Sequence, residues 1–88
     1  MEDKRIVRAM PPMVMDVYVL FGEDWKRQVS QAKTLLEDYD IEYDFYDTTS
    51  DSLSRSLLWG LTGSGVTPVL FINGVMYNGI GNIRNKLA

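Results

Sequence analysis

The side chains that most often do chemistry in a small protein are missing from this one: cysteine and histidine counts are both zero. The first absence removes disulfides, thiolate nucleophiles and sulfur ligands for zinc or iron–sulfur clusters. The second removes the commonest general base and the commonest metal ligand. Lysines, tyrosines and carboxylates remain, but no base or metal site accompanies Lys26 or any tyrosine. An enzyme of non-thiol chemistry therefore ranks last among the functions open to the chain. The sequence is better equipped to bind. Trp25-Lys26-Arg27 sets an indole beside two cations, and exposed Trp and Arg are enriched at binding hot spots. For Trp25 and Trp59 the plainer reading is core or groove lining.

Acidic residues outnumber basic ones 12 to 9, a formal net charge of −3. Glu37, Asp38, Asp40, Glu42, Asp44, Asp47 and Asp51 follow one another without a Lys or Arg between them. Such a stretch repels phosphate backbones, and the bases elsewhere are scattered, so no nucleic-acid partner is expected. The stretch reads as a solvated face that keeps the chain soluble, ahead of a docking patch for a basic partner. No apolar run is long enough to span a bilayer, so no membrane role is expected. Met1 to Arg5 lead into no hydrophobic signal region, and the cytoplasm is the expected location.

At 88 residues the chain fits one domain. Residues 1–13 read as a flexible N-terminal arm ending in Pro11-Pro12-Met13, and residues 14–88 as the folded domain. Val17-Tyr18-Val19-Leu20-Phe21 is β-forming and apolar on both faces, as a central strand covered by helices should be. Gly22 ends it, and Asp24 is expected to cap a helix with Val29, Ala32, Leu36 and Tyr39 on its buried stripe. Ile41 to Phe45 alternate as a half-buried strand. Thr48, Thr49 and Ser50 are candidate caps for a second helix that buries Leu53, Leu57, Leu58 and Leu61, with Gly60 and Gly63 as stop signals. Val69 to Ile72 form a further apolar strand. Asn73-Gly74 predicts a tight hairpin to Val75-Met76-Tyr77, Asn78-Gly79 turns the chain again, and Ile80, Ile83 and Leu87 give a terminal helix its stripe. The predicted order is β-α-β-α-β-β-α, an α/β fold with a four-stranded mixed sheet and helices on both faces.

That order, with Pro68 opening the third strand, resembles the thioredoxin fold, and the C-terminal third resembles the glutaredoxins. Val66-Thr67-Pro68-Val69-Leu70-Phe71-Ile72-Asn73-Gly74 is similar to their Thr-Val-Pro-x-x-Phe-Ile-Asn-Gly segment, and Asn78-Gly79 stands where they usually carry Gly-Gly. Ala32-Lys33-Thr34-Leu35-Leu36 is similar to the Ala-Lys-x-Leu-Leu of their first helix. Counting back from Ala32, the resemblance places Lys26-Arg27-Gln28-Val29 at the family's C-x-x-C motif, with Trp25 before it. The reactive sulfurs are thus replaced, and disulfide exchange, deglutathionylation and thiol-ligated cluster binding are chemically excluded.

The resemblance also implies a cis Thr67-Pro68 bond and a backbone at Thr67 that could pair with the cysteinyl part of glutathione. Gly79-Ile80-Gly81 could present amides to an anion. Three departures weaken that ligand. The family's acidic residue near the last helix start is replaced by Gly81-Asn82. The lysine expected before the motif gives way to Glu23 and Asp24. The spacing from the first strand to the motif is about one residue longer than usual. No resident cofactor is expected, and glutathione only weakly. The leading expectation is a redox-inactive, glutaredoxin-like domain that binds a protein partner through Trp25, Lys26, Arg27, Thr67, Pro68, Asn78 and Gly79, with no metal site. The alternative is a non-catalytic glutathione or small-anion binder. A monomer or weak homo-oligomer is expected, since the edge strand Ile41 to Asp47 is guarded against pairing only by its acids.

Overall fold

A computed structural model describes residues 16–88, so the arm expected over residues 1–13 lies outside the described residues. Along the chain run β1 (Tyr18–Gly22), α1 (Arg27–Asp38), β2 (Asp44–Asp47), α2 (Ser52–Thr62), β3 (Val69–Ile72), β4 (Val75–Asn78) and α3 (Ile80–Leu87). The strands lie in the order β2-β1-β3-β4. β1 is parallel to β2, with Leu20 opposite Phe45, and antiparallel to β3, with Leu20 opposite Leu70. This is the thioredoxin fold, a mixed sheet with helices on both faces. The hairpin from β3 to β4 turns at Asn73 and Gly74, whose φ angles of 52° and 85° are the two positive values a type I′ turn requires. Asn73 also ties the entry to β1: its Oδ1 accepts from the Val17 amide at 2.8 Å, and its Nδ2 donates to Asp16 Oδ1 at 2.9 Å.

The alternation of β1 and β3 divides the core in two. On one face Leu20, Leu70 and Ile72 meet Ala32 and Leu36 of α1 and Ile83 of α3. On the other, only Phe21, Val69 and Leu58 of α2 are fully enclosed. Each such aliphatic or aromatic side chain stabilises the fold by about 1.5–3 kcal/mol, so the α1/α3 face holds the domain together. The stripe predicted for α3 is present, with Ile80 and Leu87 packed beside Ile83.

Five local expectations are corrected. In α2, Leu58 is buried together with Ser54, but Leu53, Leu57 and Leu61 are 78%, 44% and 53% exposed. At 100° per residue, the line through Ser54 and Leu58 faces the sheet; Leu53 lies far round the helix from it, and Leu57 and Leu61 come nearer but stand at the edge of an open groove beside the sheet. Asp24 does not cap α1. A turn closed by the Lys26 amide on the Glu23 carbonyl, 3.1 Å, delays the helix to Arg27. Asp24 instead accepts from Lys33 Nζ at 2.6 Å, and that ammonium also lies 3.8 Å from the Phe45 ring centroid. The cap of α2 is Asp51, whose carboxylate accepts from the Leu53 amide at 3.1 Å and the Ser54 hydroxyl at 2.7 Å. Thr49 and Ser50 are occupied in a turn that donates to Asp47. The helix ends at Gly63, φ 71°, whereas Gly60 lies inside it. Finally, the β2 ladder starts at Asp44, although Ile41, Tyr43 and Phe45 all pack inward as the alternation predicts.

Candidate functional site

The site lies where the end of β1, the start of α1 and the loop before β3 converge. Gly22 makes that convergence possible. A side-chain carbon there would run into the methyl groups of Val29, so the bare backbone lets the first turn of α1 settle on the end of β1. The short 23–26 connection is thereby held against the loop that ends in Pro68. Trp25, in the turn, is 72% exposed. Lys26 follows at the N-cap of α1 with extended backbone, φ −80° and ψ 133°, and makes no side-chain cap hydrogen bond.

Lys26 reaches across to the loop instead. Its Nζ donates to the Thr67 carbonyl at 3.0 Å and to Thr67 Oγ1 at 3.2 Å. The Thr67 hydroxyl in turn donates to Glu23 Oε1. Thr67 is only 5% exposed, and Pro68 is fully enclosed. The Thr67–Pro68 peptide bond is cis, and the Pro68 carbonyl accepts from the Gly79 amide at 2.8 Å. An ammonium beside a helix N-terminus is opposed by the helix dipole. Here the opposition is offset by a carbonyl and a hydroxyl, the latter polarised by a carboxylate.

Lys26, Thr67, Pro68 and Gly79 are therefore brought together, with Trp25 on the rim. Asn78 pairs with Val69 across the hairpin, and its carbonyl accepts from Asn82 Nδ2 at 2.7 Å, so its backbone is committed to the fold. Arg27 is not part of the cluster. It points along α1 into a shallow groove of about 310 Å³ shared with Gln31, Leu35 and Arg84. Trp59 sits elsewhere again, with its indole edge laid over Gly65. Glu23 is the member that sequence reasoning missed as a site residue. Its signal was the three-residue spacing to Lys26, which becomes informative only once both are known to face Thr67. Among the described residues, no group of three His, Cys, Asp or Glu side chains is placed to hold a metal ion, and no helix is long and apolar enough to cross a membrane.

The sequence model of the glutaredoxin family matches residues 28–77, which is 50 of the 88 residues. No curated protein sequence matches the chain. Among solved structures, a buckwheat glutaredoxin–glutathione complex superposes with a TM-score of 0.70 and 22% identity, over 81% of this chain and 67% of that one. Reduced glutaredoxin C1 from Populus tremula x tremuloides gives 0.68 and 25%, over 78% of this chain and 62% of that one. A glutaredoxin from Brucella melitensis gives 0.69 and 20%, over 85% and 82%. This chain thus spans about two thirds of the length of the plant proteins.

Proposed function

The chain belongs to the glutaredoxin family, and from that premise we propose that it works as a redox-inactive protein-binding module rather than as a thiol–disulfide oxidoreductase. With no cysteine, it has no sulfur to attack a disulfide or to be glutathionylated. The observation that carries the reading is Lys26. At the head of α1, where the family resemblance sets the first cysteine, stands an ammonium tied to Thr67 beside an exposed indole. In this reading a segment of a partner protein lies across the rim formed by Trp25 and the 66–68 loop, with Trp25 as its apolar anchor and Lys26 as the cation beside it.

Glutathione fits this seat poorly. The Thr67 carbonyl that the family resemblance assigns to the tripeptide's cysteinyl backbone already accepts from Lys26. The first turn of α3 offers Gly81 and Asn82 and no acid for the tripeptide's amino group. Both features favour the protein-binding reading over the small-ligand one.

The test is affinity capture from the source cell by the immobilised full chain and by Trp25→Ala. Truncating a central aromatic anchor costs about 2 kcal/mol or more, roughly a 30-fold loss of affinity. Because Trp25 is exposed, the variant should melt as the parent does. A captured protein that binds both forms equally would exclude this face. In parallel, reduced glutathione is titrated to millimolar concentration with Trp25 fluorescence as readout, and a saturable response would favour the small-ligand reading.

A further inference from the structure

Among the described residues the sheet has two edges, and they are not alike. β2, at one edge, carries Asp44 and Asp47, and charges of this kind keep an edge strand from pairing with another chain. β4, at the other, reads Val75-Met76-Tyr77-Asn78, with no charge, proline or bulge to blunt it. Its hydrogen-bonding phase is definite. In a two-residue hairpin the residues flanking the turn bond to each other, so Val75 and Tyr77 face β3 while Met76 and Asn78 face outward. Two contacts fix that phase independently. The Gly79 amide, two residues beyond Tyr77, donates to the Pro68 carbonyl at 2.8 Å. The Asn78 carbonyl accepts from Asn82 Nδ2 of α3 at 2.7 Å and so is turned away from β3. The amide and carbonyl of Met76 are left at the open edge, without a partner among the described residues.

A donor and an acceptor on an extended edge call for another extended backbone. The surroundings favour a second copy of this chain. An open groove of about 510 Å³ runs beside the edge, walled by Met76, Tyr77, Asn78, Asn82, Asn85 and Lys86. Its one charge, the Lys86 ammonium, lies over the Tyr77 ring at 5.6 Å. The three asparagine amides both donate and accept, so a copy of this surface complements itself. On the other face of the sheet, Met76 is exposed beside Phe71, and Val17, Leu57 and Leu61 continue the apolar surface. The net charge of −3 opposes self-association, but Asp44 and Asp47 lie on the far edge, three strands away. That is about 14 Å, beyond the screening length of about 8 Å at physiological salt.

We propose that two copies of the chain pair antiparallel along β4, Met76 to Met76, joining their four-stranded sheets into one. The bond from Asn82 to the Asn78 carbonyl sets the two-fold axis at Met76, where both backbone groups are available. The contact is smaller than the roughly 800 Å² per partner of a stable interface, so a Kd on the order of 100 μM is expected. Sedimentation velocity of the full-length chain should show a monomer at about 10 μM and mostly dimer at about 1 mM. Met76→Lys guards the edge with a solvated charge and should stay monomeric at both concentrations with an unchanged Tm. Trp25→Ala should dimerise as the parent does. A parent that stays monomeric, a dimer that survives Met76→Lys, or one lost in Trp25→Ala would each overturn the proposal. Amide exchange on the unsubstituted chain is the independent measure. The Met76 amide should exchange about fourfold more slowly at the higher concentration, in step with the monomer fraction. A rate independent of concentration would refute the pairing.

Discussion

Replacing Lys26 by methionine keeps most of the aliphatic stem and deletes the ammonium, which isolates the contact on which the site reading depends. Two hydrogen bonds to Thr67 are lost, at 3.0 and 3.2 Å, and a carbonyl on a residue only 5% exposed is left without its donor. A hydrogen bond to a charged group contributes about 1.5–3 kcal/mol. Against this stand the entropy of ordering a lysine, up to about 2 kcal/mol, and the screening of a half-buried ammonium. The net expectation is a loss of about 1–2 kcal/mol. For a domain of this size that lowers Tm by roughly 5–15 °C, readable by circular dichroism in matched buffers. The same variant vacates the Thr67 carbonyl. Reduced glutathione at millimolar concentration should then shift the amides of Thr67 and Val69 in Lys26→Met and leave them unmoved in the parent. A Tm within about 1 °C of the parent would refute the claim that Lys26 is bound rather than merely nearby. Equal glutathione responses in both proteins would refute the claim that it occupies the seat.

The remaining expectations concern the frame and its charges. Gly22→Ala forces a methyl into Val29, which is fully enclosed; overpacking of this kind costs about 1–3 kcal/mol, seen as a lower urea midpoint at unchanged slope. The Ser54 hydroxyl and the Leu53 amide hold the Asp51 carboxyl below its usual range, and the Thr49 amide, with help from Ser50, does the same for Asp47. A depressed folded-state pKa stabilises the fold above the unfolded value of about 4, and that contribution is lost as pH falls through the folded value. The stability gap between parent and Asp51→Ala should therefore be full at neutral pH and close in strong acid; a gap independent of pH would sink the assignment. Lys26→Cys puts a single thiol at the uncapped head of α1, which has no acid in its first turn. Its alkylation rate should titrate below the ordinary thiol value of about 8.5, and a midpoint at or above that value would show that the helix end does not stabilise a thiolate here.

The parts of the fold that could be read in the sequence are those where one physical rule acts alone. The apolar run of β1, the alternation around Ile41 to Phe45 and the Asn73-Gly74 turn each state a local preference that the neighbouring elements reinforce. Reading failed where two local options competed. Asp24 and Asp51 are both good caps in isolation, but the turn closed by Lys26 and Glu23 moved the start of α1 beyond the reach of the first. The leucine row of α2 satisfied helical periodicity and still turned outward, because periodicity identifies an apolar stripe without saying what covers it. The same limit applied to the site. Trp25, Lys26, Thr67 and Pro68 could be placed near one another by their resemblance to a known pattern, but the partnership of Lys26 with the Thr67 carbonyl joins residues 41 apart in sequence, and only the folded chain expresses it.

That partnership reverses the electrostatic demand at the head of α1. A thiolate at the head of a helix is an acceptor, and the dipole and free amides of the first turn stabilise it. An ammonium in the same place is a donor facing other donors, and it would be driven into solvent unless an acceptor lay on the far side. Thr67 supplies that acceptor because the loop ending in Pro68 directs its carbonyl toward α1, with Glu23 completing the chain of hydrogen bonds through the hydroxyl. A lysine where the family resemblance sets a cysteine therefore inverts the polarity of the seat. A seat already filled by the protein's own side chain has little to offer a thiol or a small tripeptide. A neighbouring indole exposed by its turn offers apolar area at small conformational cost. On the proposed reading, function moves from a reactive atom to a surface, and substitutions on that surface are the ones expected to abolish it.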